Sequence, residues 1–167
     1  MPFRRYNWKT SVETCIDSKK EDIWRIISRE GNLAKFHPFC RTNKIVHWSR
    51  KKHIDEIEYL NGLIFRRNFV QWIDNLGYDL YIHQLGKPDS YVSWRIKELE
   101  GRRKIKITVY PYLFNNGQKF ISYIPFFLIV RPLLKNYLSA VLHGLKLYIE
   151  EDSLIKPNQF GKHIWFS

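Results

Sequence analysis

Apolar residues recur at three- and four-residue spacing between Pro132 and Glu151. Leu134, Leu138, Val141, Leu142, Leu145, Tyr148 and Ile149 fall on one side of a helix, while Asn136, Ser139, His143 and Lys146 fall outside that stripe. Pro132 fits the first turn, where its missing N–H costs nothing. A shorter helical stripe, Ile23, Trp24, Ile26 and Ile27, follows Ser18-Lys19-Lys20-Glu21, which matches a capping box. Gly31 supplies a left-handed stop, and Asn32 can cap a further turn from Leu33 to Phe36 that Pro38 ends.

Elsewhere the period changes to two. A first strand is expected from Asn7 to Ile16, with Trp8, Ser11-Val12 and Cys15-Ile16 carrying its apolar side. Six more follow in quick succession: Lys44–Trp48, His53–Leu60, Leu63–Ile73, Tyr78–Leu85, Tyr91–Leu99 and Lys104–Tyr112. Their connections carry strong turn chemistry, above all Asn61-Gly62, Asp74-Asn75-Leu76-Gly77 and Gly86-Lys87-Pro88-Asp89. Short links between consecutive strands predict an antiparallel meander. In such a meander the basic turns at Arg50-Lys51-Lys52 and Arg102-Arg103-Lys104 share one end of the sheet, opposite the end where the final helix is entered. The expected class is α+β, with seven strands, two short helices after the first and one long C-terminal helix. Residues 1–167 read as one domain, with 152–167 a tail whose final aromatics dock back or stay loose.

Composition narrows the class. A hydrophobic content of 44% with six tryptophans argues against disorder. Met1-Pro2-Phe3-Arg4-Arg5 does not open a signal peptide. The longest uncharged apolar stretch, Phe120–Val130, is interrupted by Pro125 and falls short of the roughly 20 residues of a spanning helix. Cys15 and Cys40 are too few for a disulfide scaffold and lack metal-ligand spacing. The expectation is therefore a cytoplasmic protein. A net charge of +12, clustered at Arg4-Arg5, Lys19-Lys20, Arg50-Lys51-Lys52, Arg66-Arg67 and Arg102-Arg103-Lys104, allows peripheral contact with an anionic membrane. It equally suits a solvated basic face.

Chemical signals are faint. His37 beside Pro38 can serve as a general base or ligand hydrogen-bonder, or simply end the second short helix. His83 shares a strand face with Asp79 and Tyr81, a ladder that would tune an imidazole for proton transfer, or lie in solvent. His47, His53, His143 and His163 lie apart, so no metal site is expected. No nucleophile elbow, P-loop or dinucleotide fingerprint occurs. Arg67 or Arg95, if inward, would anchor a carboxylate or phosphate; Arg95 is expected outward, because Val92, Trp94 and Ile96 share the opposite face. The strand aromatics lack an RNP-like motif, so no specific nucleic acid is expected.

The element order, with Ile23-Trp24-Arg25-Ile26-Ile27-Ser28, Asn32-Leu33, Phe36-His37-Pro38 and Leu142-His143-Gly144-Leu145-Lys146-Leu147-Tyr148, resembles the START-like or Bet v 1-like superfamily. Within it the likeness is to the polyketide cyclase/dehydrase and lipid-transport group, over residues about 8 to 151. The resemblance implies a helix-grip fold, in which a curved sheet wraps the C-terminal helix and leaves an apolar cavity. No cofactor is expected, and the superfamily's lack of a shared catalytic signature leaves the catalytic residues unknown. His37, Tyr59, Phe65, Phe69, Trp94, Ile107, Leu134, Leu138, Val141 and Leu145 are expected to line that cavity, and Tyr123, Phe126 and Phe127 its mouth. The preferred role is binding or transfer of a hydrophobic small molecule: a lipid, isoprenoid or polyketide. One alternative is a cyclase or dehydratase using an inward His or Tyr. Another is a basic-faced interaction module with a filled interior.

Overall fold

The structure, a computed structural model, describes residues 8–99, 101–112 and 123–167. Strand β1 (Thr10–Ile16) is followed by two short helices, α1 (Lys20–Ile27) and α2 (Leu33–Phe36). Six strands follow: β2 (Cys40–Trp48), β3 (His53–Tyr59), β4 (Ile64–Ile73), β5 (Gly77–His83), β6 (Ser90–Leu99) and β7 (Arg102–Tyr110). Helix α3 (Arg131–Glu151) closes the series. The strands form one antiparallel sheet in the order β1-β7-β6-β5-β4-β3-β2, so β1 returns beside the last strand and the rest is a meander. Leu134, Leu138, Val141, Leu142 and Leu145 of α3 are buried with Ile57, Leu80, Trp94 and Ile107 of the sheet. This is the helix-grip arrangement that the resemblance implies.

Local chemistry departs from the sequence reading in four places. The capping box does not form: Lys19 is the N-cap of α1, and its carbonyl accepts from the amides of Asp22 and Ile23 without side-chain help. Glu21 and Asp22 still place negative charge in the first turn, where the helix dipole favours it. Asn32 does not cap α2 either; its side-chain amide donates to the carbonyls of Ile26 and Ile27 and so closes the end of α1. Strand β2 starts at Cys40, four residues before the alternation shows, because irregularities at Cys40/Thr42 and Ile45/His47 interrupt its period.

The fourth departure is the segment before α3. Helical structure begins at Tyr123 and runs for 29 residues to Glu151, so Pro132, in the first turn of α3, has helix on both sides. A proline there cannot donate to the carbonyl four residues back, and its ring crowds that oxygen. The turn Phe126–Val130 accordingly opens to π spacing, with the Arg131 amide bonded to Phe126 O. By length and composition this helix would suffice to cross a bilayer, which the apolar run alone did not suggest. Its buried stripe instead forms the core against the sheet. Residues 120–122 of the expected apolar segment lie outside the described residues.

Close packing sets how near α3 lies to α2. A Cβ on Gly144 would lie 2.1 Å from the carbonyl oxygen of Phe36, so only glycine lets α3 meet α2 this closely. Asp152, at φ 50°, ends α3 in the left-handed conformation. The chain after it docks back on the body. Ile155 N bonds Lys35 O, Asn158 N bonds Pro38 O, and Asn61 Nδ2 bonds Trp165 O at 2.7 Å.

The antiparallel order puts the β2–β3, β4–β5 and β6–β7 connections at one end of the sheet. Both basic segments lie there, Arg102 to Lys104 within the start of β7 rather than in the turn. Trp24, Trp48, His53, Phe69, Trp72 and Tyr78 fill this end ring against ring; His53 stacks on Trp72 at 4.1 Å and Trp72 on Tyr78 at 5.6 Å. The opposite end, where α3 begins, is hollow.

Candidate functional site

A cavity of about 710 Å³ lies between the concave face of the sheet and the first half of α3. Ile57, Leu80, Ile82, Val92, Trp94, Ile107 and Val109 form its sheet wall, and Val130, Leu134, Leu138 and Val141 its helix wall. Alternation explains the sheet wall: these residues lie at period two on strands whose register is matched across β3 to β7. The cavity reaches the surface at Lys87 and Pro88, exposed residues of the β5–β6 connection. Trp165 and Phe166 of the docked tail complete a side wall, with Phe166 stacked on Tyr59 at 4.3 Å.

Three hydrogen-bonding side chains stand in that side wall. His37 Nε2 lies 2.9 Å from Tyr137 Oη, and Tyr137 Oη lies 2.9 Å from Tyr59 Oη. The Phe39 amide donates to His37 Nδ1 at 3.2 Å. Burial, reinforced by the positive charge of Arg67, holds the His37 pKa down to about 3, so the ring is neutral at pH 7. A neutral imidazole whose Nδ1 accepts must carry its proton on Nε2, so His37 donates to Tyr137. With Nδ1 occupied, the ring has no free lone pair with which to take a proton from a substrate. Burial also pushes the Tyr59 hydroxyl up to about 12 and raises that of Tyr137, so both remain protonated donors.

Arg67 points inward, and its side chain is buried with that of Asp55. Arg67 Nε donates to Asp55 Oδ1 at 2.7 Å and Nη2 to Oδ2 at 2.5 Å, a bidentate pair. The guanidinium also lies 5.2 Å from the centre of the Phe69 ring, joining the cavity wall to the aromatic end. Its charge is met within the protein, so the anion anchor considered for an inward arginine is already satisfied. Nearby Cys40 is driven up to about 12 by burial, which keeps it a neutral thiol.

Of the residues expected at the cavity, His37, Tyr59, Phe65, Trp94, Ile107, Leu134, Leu138 and Val141 stand in its wall. Phe69 and Leu145 do not: Phe69 packs into the aromatic end, and Leu145, fully buried, lies beyond the hollow half of α3. None of the three expected mouth residues lines the cavity. All three rings contact Trp8: Phe126 is buried with its ring 5.3 Å away, while Phe127 and the more exposed Tyr123 each lie at 6.0 Å. The rim is formed instead by the β5–β6 connection. His83 does not join Asp79 in a ladder: its Nδ1 is 2.6 Å from Asp89, while Asp79 binds Arg95 at 2.7 Å on the outer face. Arg95 is outward, as expected.

Sequence reasoning missed Asp55 and Tyr137, and left open the docking of the tail aromatics that the structure shows. Tyr137 was legible in principle, lying three residues after Leu134 and four before Val141 on the flank of the apolar stripe. Nothing local marks Asp55, since a strand aspartate is ordinarily exposed. The interior is not filled, which removes the main mark of the interaction-module reading.

No protein-family model and no curated protein matches the chain. Among solved structures, DynU16 from the dynemicin biosynthetic locus is similar with a TM-score of 0.66 and 11% identity over 89% of this chain. The match spans about half of DynU16, 49% of its length. Ara h 8.0201 is similar at 0.65 and 13%, covering 86% of this chain and 98% of its own. Aha1 from Colwellia psychrerythraea is similar at 0.60 and 14%, covering 86% and 97%. At these identities the likeness establishes the fold, a Bet v 1-like helix grip, and nothing finer.

Proposed function

We propose that the protein binds and carries a hydrophobic small molecule, such as a lipid, isoprenoid or polyketide, in the cavity between sheet and α3. The observation that carries this reading is a hollow of about 710 Å³, largely apolar in its walls, in an otherwise close-packed core. Burying apolar ligand surface contributes about 25 cal/mol per Å², so shape and area dominate affinity. The occupied Nδ1 of His37 favours binding over base catalysis at this site. Native mass spectrometry of protein purified from its own host tests the reading: a stoichiometric apolar mass, released by organic solvent, is expected. Its absence, together with failure to take up any apolar compound in vitro, contradicts it.

Exchange with an anionic membrane at the open end is the accompanying proposal. Tyr123, Ile124, Leu128 and Ile129 are exposed beside the start of α3 and Leu85 on the β5–β6 connection, with the exposed cations Lys87 and Lys135 on the same two elements. Replacing Leu128 and Ile129 together by Ser is expected to slow ligand transfer from anionic liposomes with little change in Tm. Phe126→Ser, which strikes a buried ring, is expected to lower Tm instead. Unchanged transfer in the stable Leu128→Ser/Ile129→Ser protein removes membrane contact from the account.

A further inference from the structure

The side wall of the cavity has one more hydrogen than it has acceptors. A neutral His37 contributes one N–H, and Tyr137 and Tyr59 contribute one O–H each, for only two contacts between them. The Phe39 amide fixes the direction of the chain, because it leaves His37 only as a donor. Tyr137 must accept from His37, and whichever way the two hydroxyls are turned, one O–H is left over. Among the described residues neither hydroxyl has another acceptor, and Tyr59 and Tyr137 both stand in the cavity wall. Desolvation leaves both phenols protonated, so the surplus hydrogen persists at neutral pH. A buried donor without an acceptor is costly, and a ligand oxygen would satisfy it.

The neighbouring charges decide what kind of oxygen. Arg67 lines the same cavity, but both of its contacts to Asp55 are made, so the pair presents no net charge. An anionic head group brought here would lose its hydration without gaining a counter-charge. An ammonium head would meet a donor with donors. We infer that the cavity selects an uncharged, largely apolar molecule bearing a carbonyl-type oxygen acceptor, held by the surplus hydroxyl hydrogen of the Tyr59–Tyr137 pair. This inference rests on the carrier reading and narrows it from any hydrophobic molecule to ketones, esters and quinone-like compounds.

The test compares 2-acetylnaphthalene, 2-ethylnaphthalene and 2-naphthoate by equilibrium dialysis at pH 7, with the unaltered protein and the Tyr59→Phe/Tyr137→Phe variant. Both hydroxyls are removed together because either alone could supply the hydrogen. The ratio of ketone to hydrocarbon affinity is expected to fall about fivefold to tenfold in the variant, the worth of one neutral hydrogen bond. Hydrocarbon affinity should change less than about twofold, since its apolar contacts remain, and the carboxylate should bind most weakly to the unaltered protein. An unchanged ratio in a variant that still binds the hydrocarbon overturns the inference while leaving the carrier reading intact. Binding of neither neutral compound to the unaltered protein overturns both. A second measurement needs no variant: the carbonyl stretch of bound, carbon-13-labelled 2-acetylnaphthalene is expected below its frequency in hexane. A band at the hexane position counts against the inference.

Discussion

The two ends of the molecule use the same materials to opposite effect. At the end carrying the β2–β3 and β4–β5 turns, Trp24, Trp48, His53, Phe69, Trp72 and Tyr78 stack and interlock until no large space is left. At the end where α3 begins, aromatics line a hollow instead of closing it; Tyr59, Phe65, Trp94, Tyr137 and Phe166 all face one cavity. The difference lies in what each wall meets. The filled end has α1 laying Trp24 against Trp72, whereas the hollow end has the slender Leu134, Leu138 and Val141 of α3 and a docked tail at its side. Stability is concentrated in the first region and capacity to bind in the second.

The comparison breaks most sharply at Tyr78, whose ring touches Trp24, Phe69, Trp72 and Trp94. Tyr78→Ala is expected to cost about 3–5 kcal/mol in urea unfolding. Leu134→Ala, which enlarges a space already present, should cost less than about 2 kcal/mol. Equal costs at the two positions would show that the hollow end is packed as tightly as the filled one.

Asp55 and Arg67 join the two regions. Arg67→Met leaves a buried carboxylate without its partner, and a loss of about 3–5 kcal/mol is expected. Adding Asp55→Leu should recover most of that loss, because an apolar pair of similar volume carries no desolvation cost. If the double variant is no more stable than Arg67→Met, the pair is not an isolated electrostatic unit.

A smaller effect distinguishes the polar side wall. Free histidine titrates near 6.5 and His37 at about 3, so between those values the unfolded chain takes up a proton that the folded one refuses. Stability should therefore fall as the pH drops from about 6.5, by about 1.4 kcal/mol per pH unit from this group alone. His53 and His163, both lowered chiefly by burial, add in the same direction. His37→Gln should flatten the dependence between pH 6.5 and 4 by the His37 share. An identical slope in the variant would mean that His37 is accessible to protons in the folded state.

Legibility in the sequence followed the range of the forces involved. Strand alternation and the stripe of α3 are local, so the order of elements was readable from spacing, while the cavity and the residues expected in its wall came from the resemblance that this order carries. Phe69 and Leu145 were misplaced because periodicity assigns a residue to a face but not to a height along it. Tyr59 and Phe69 both belong to the concave face, yet β3 carries Tyr59 to the hollow end while Phe69 lies toward the filled one. The Asp55–Arg67 pair depends on the cross-strand register of β3 and β4, and the Trp165–Phe166 wall on a chain return; neither leaves a local trace. Pro132 does sit in the first turn of α3, but nothing local to it shows that the π turn Phe126–Val130 continues the helix ahead of it.

Equilibrium dialysis of 2-ethylnaphthalene against the unaltered protein and Leu134→Trp tests the existence of a working cavity most directly. The unaltered protein is expected to take up one molecule per chain. The tryptophan should fill the hollow, leave Tm nearly unchanged and weaken uptake by at least about tenfold. Uptake that is absent from the unaltered protein, or equal in the filled variant, would contradict the account.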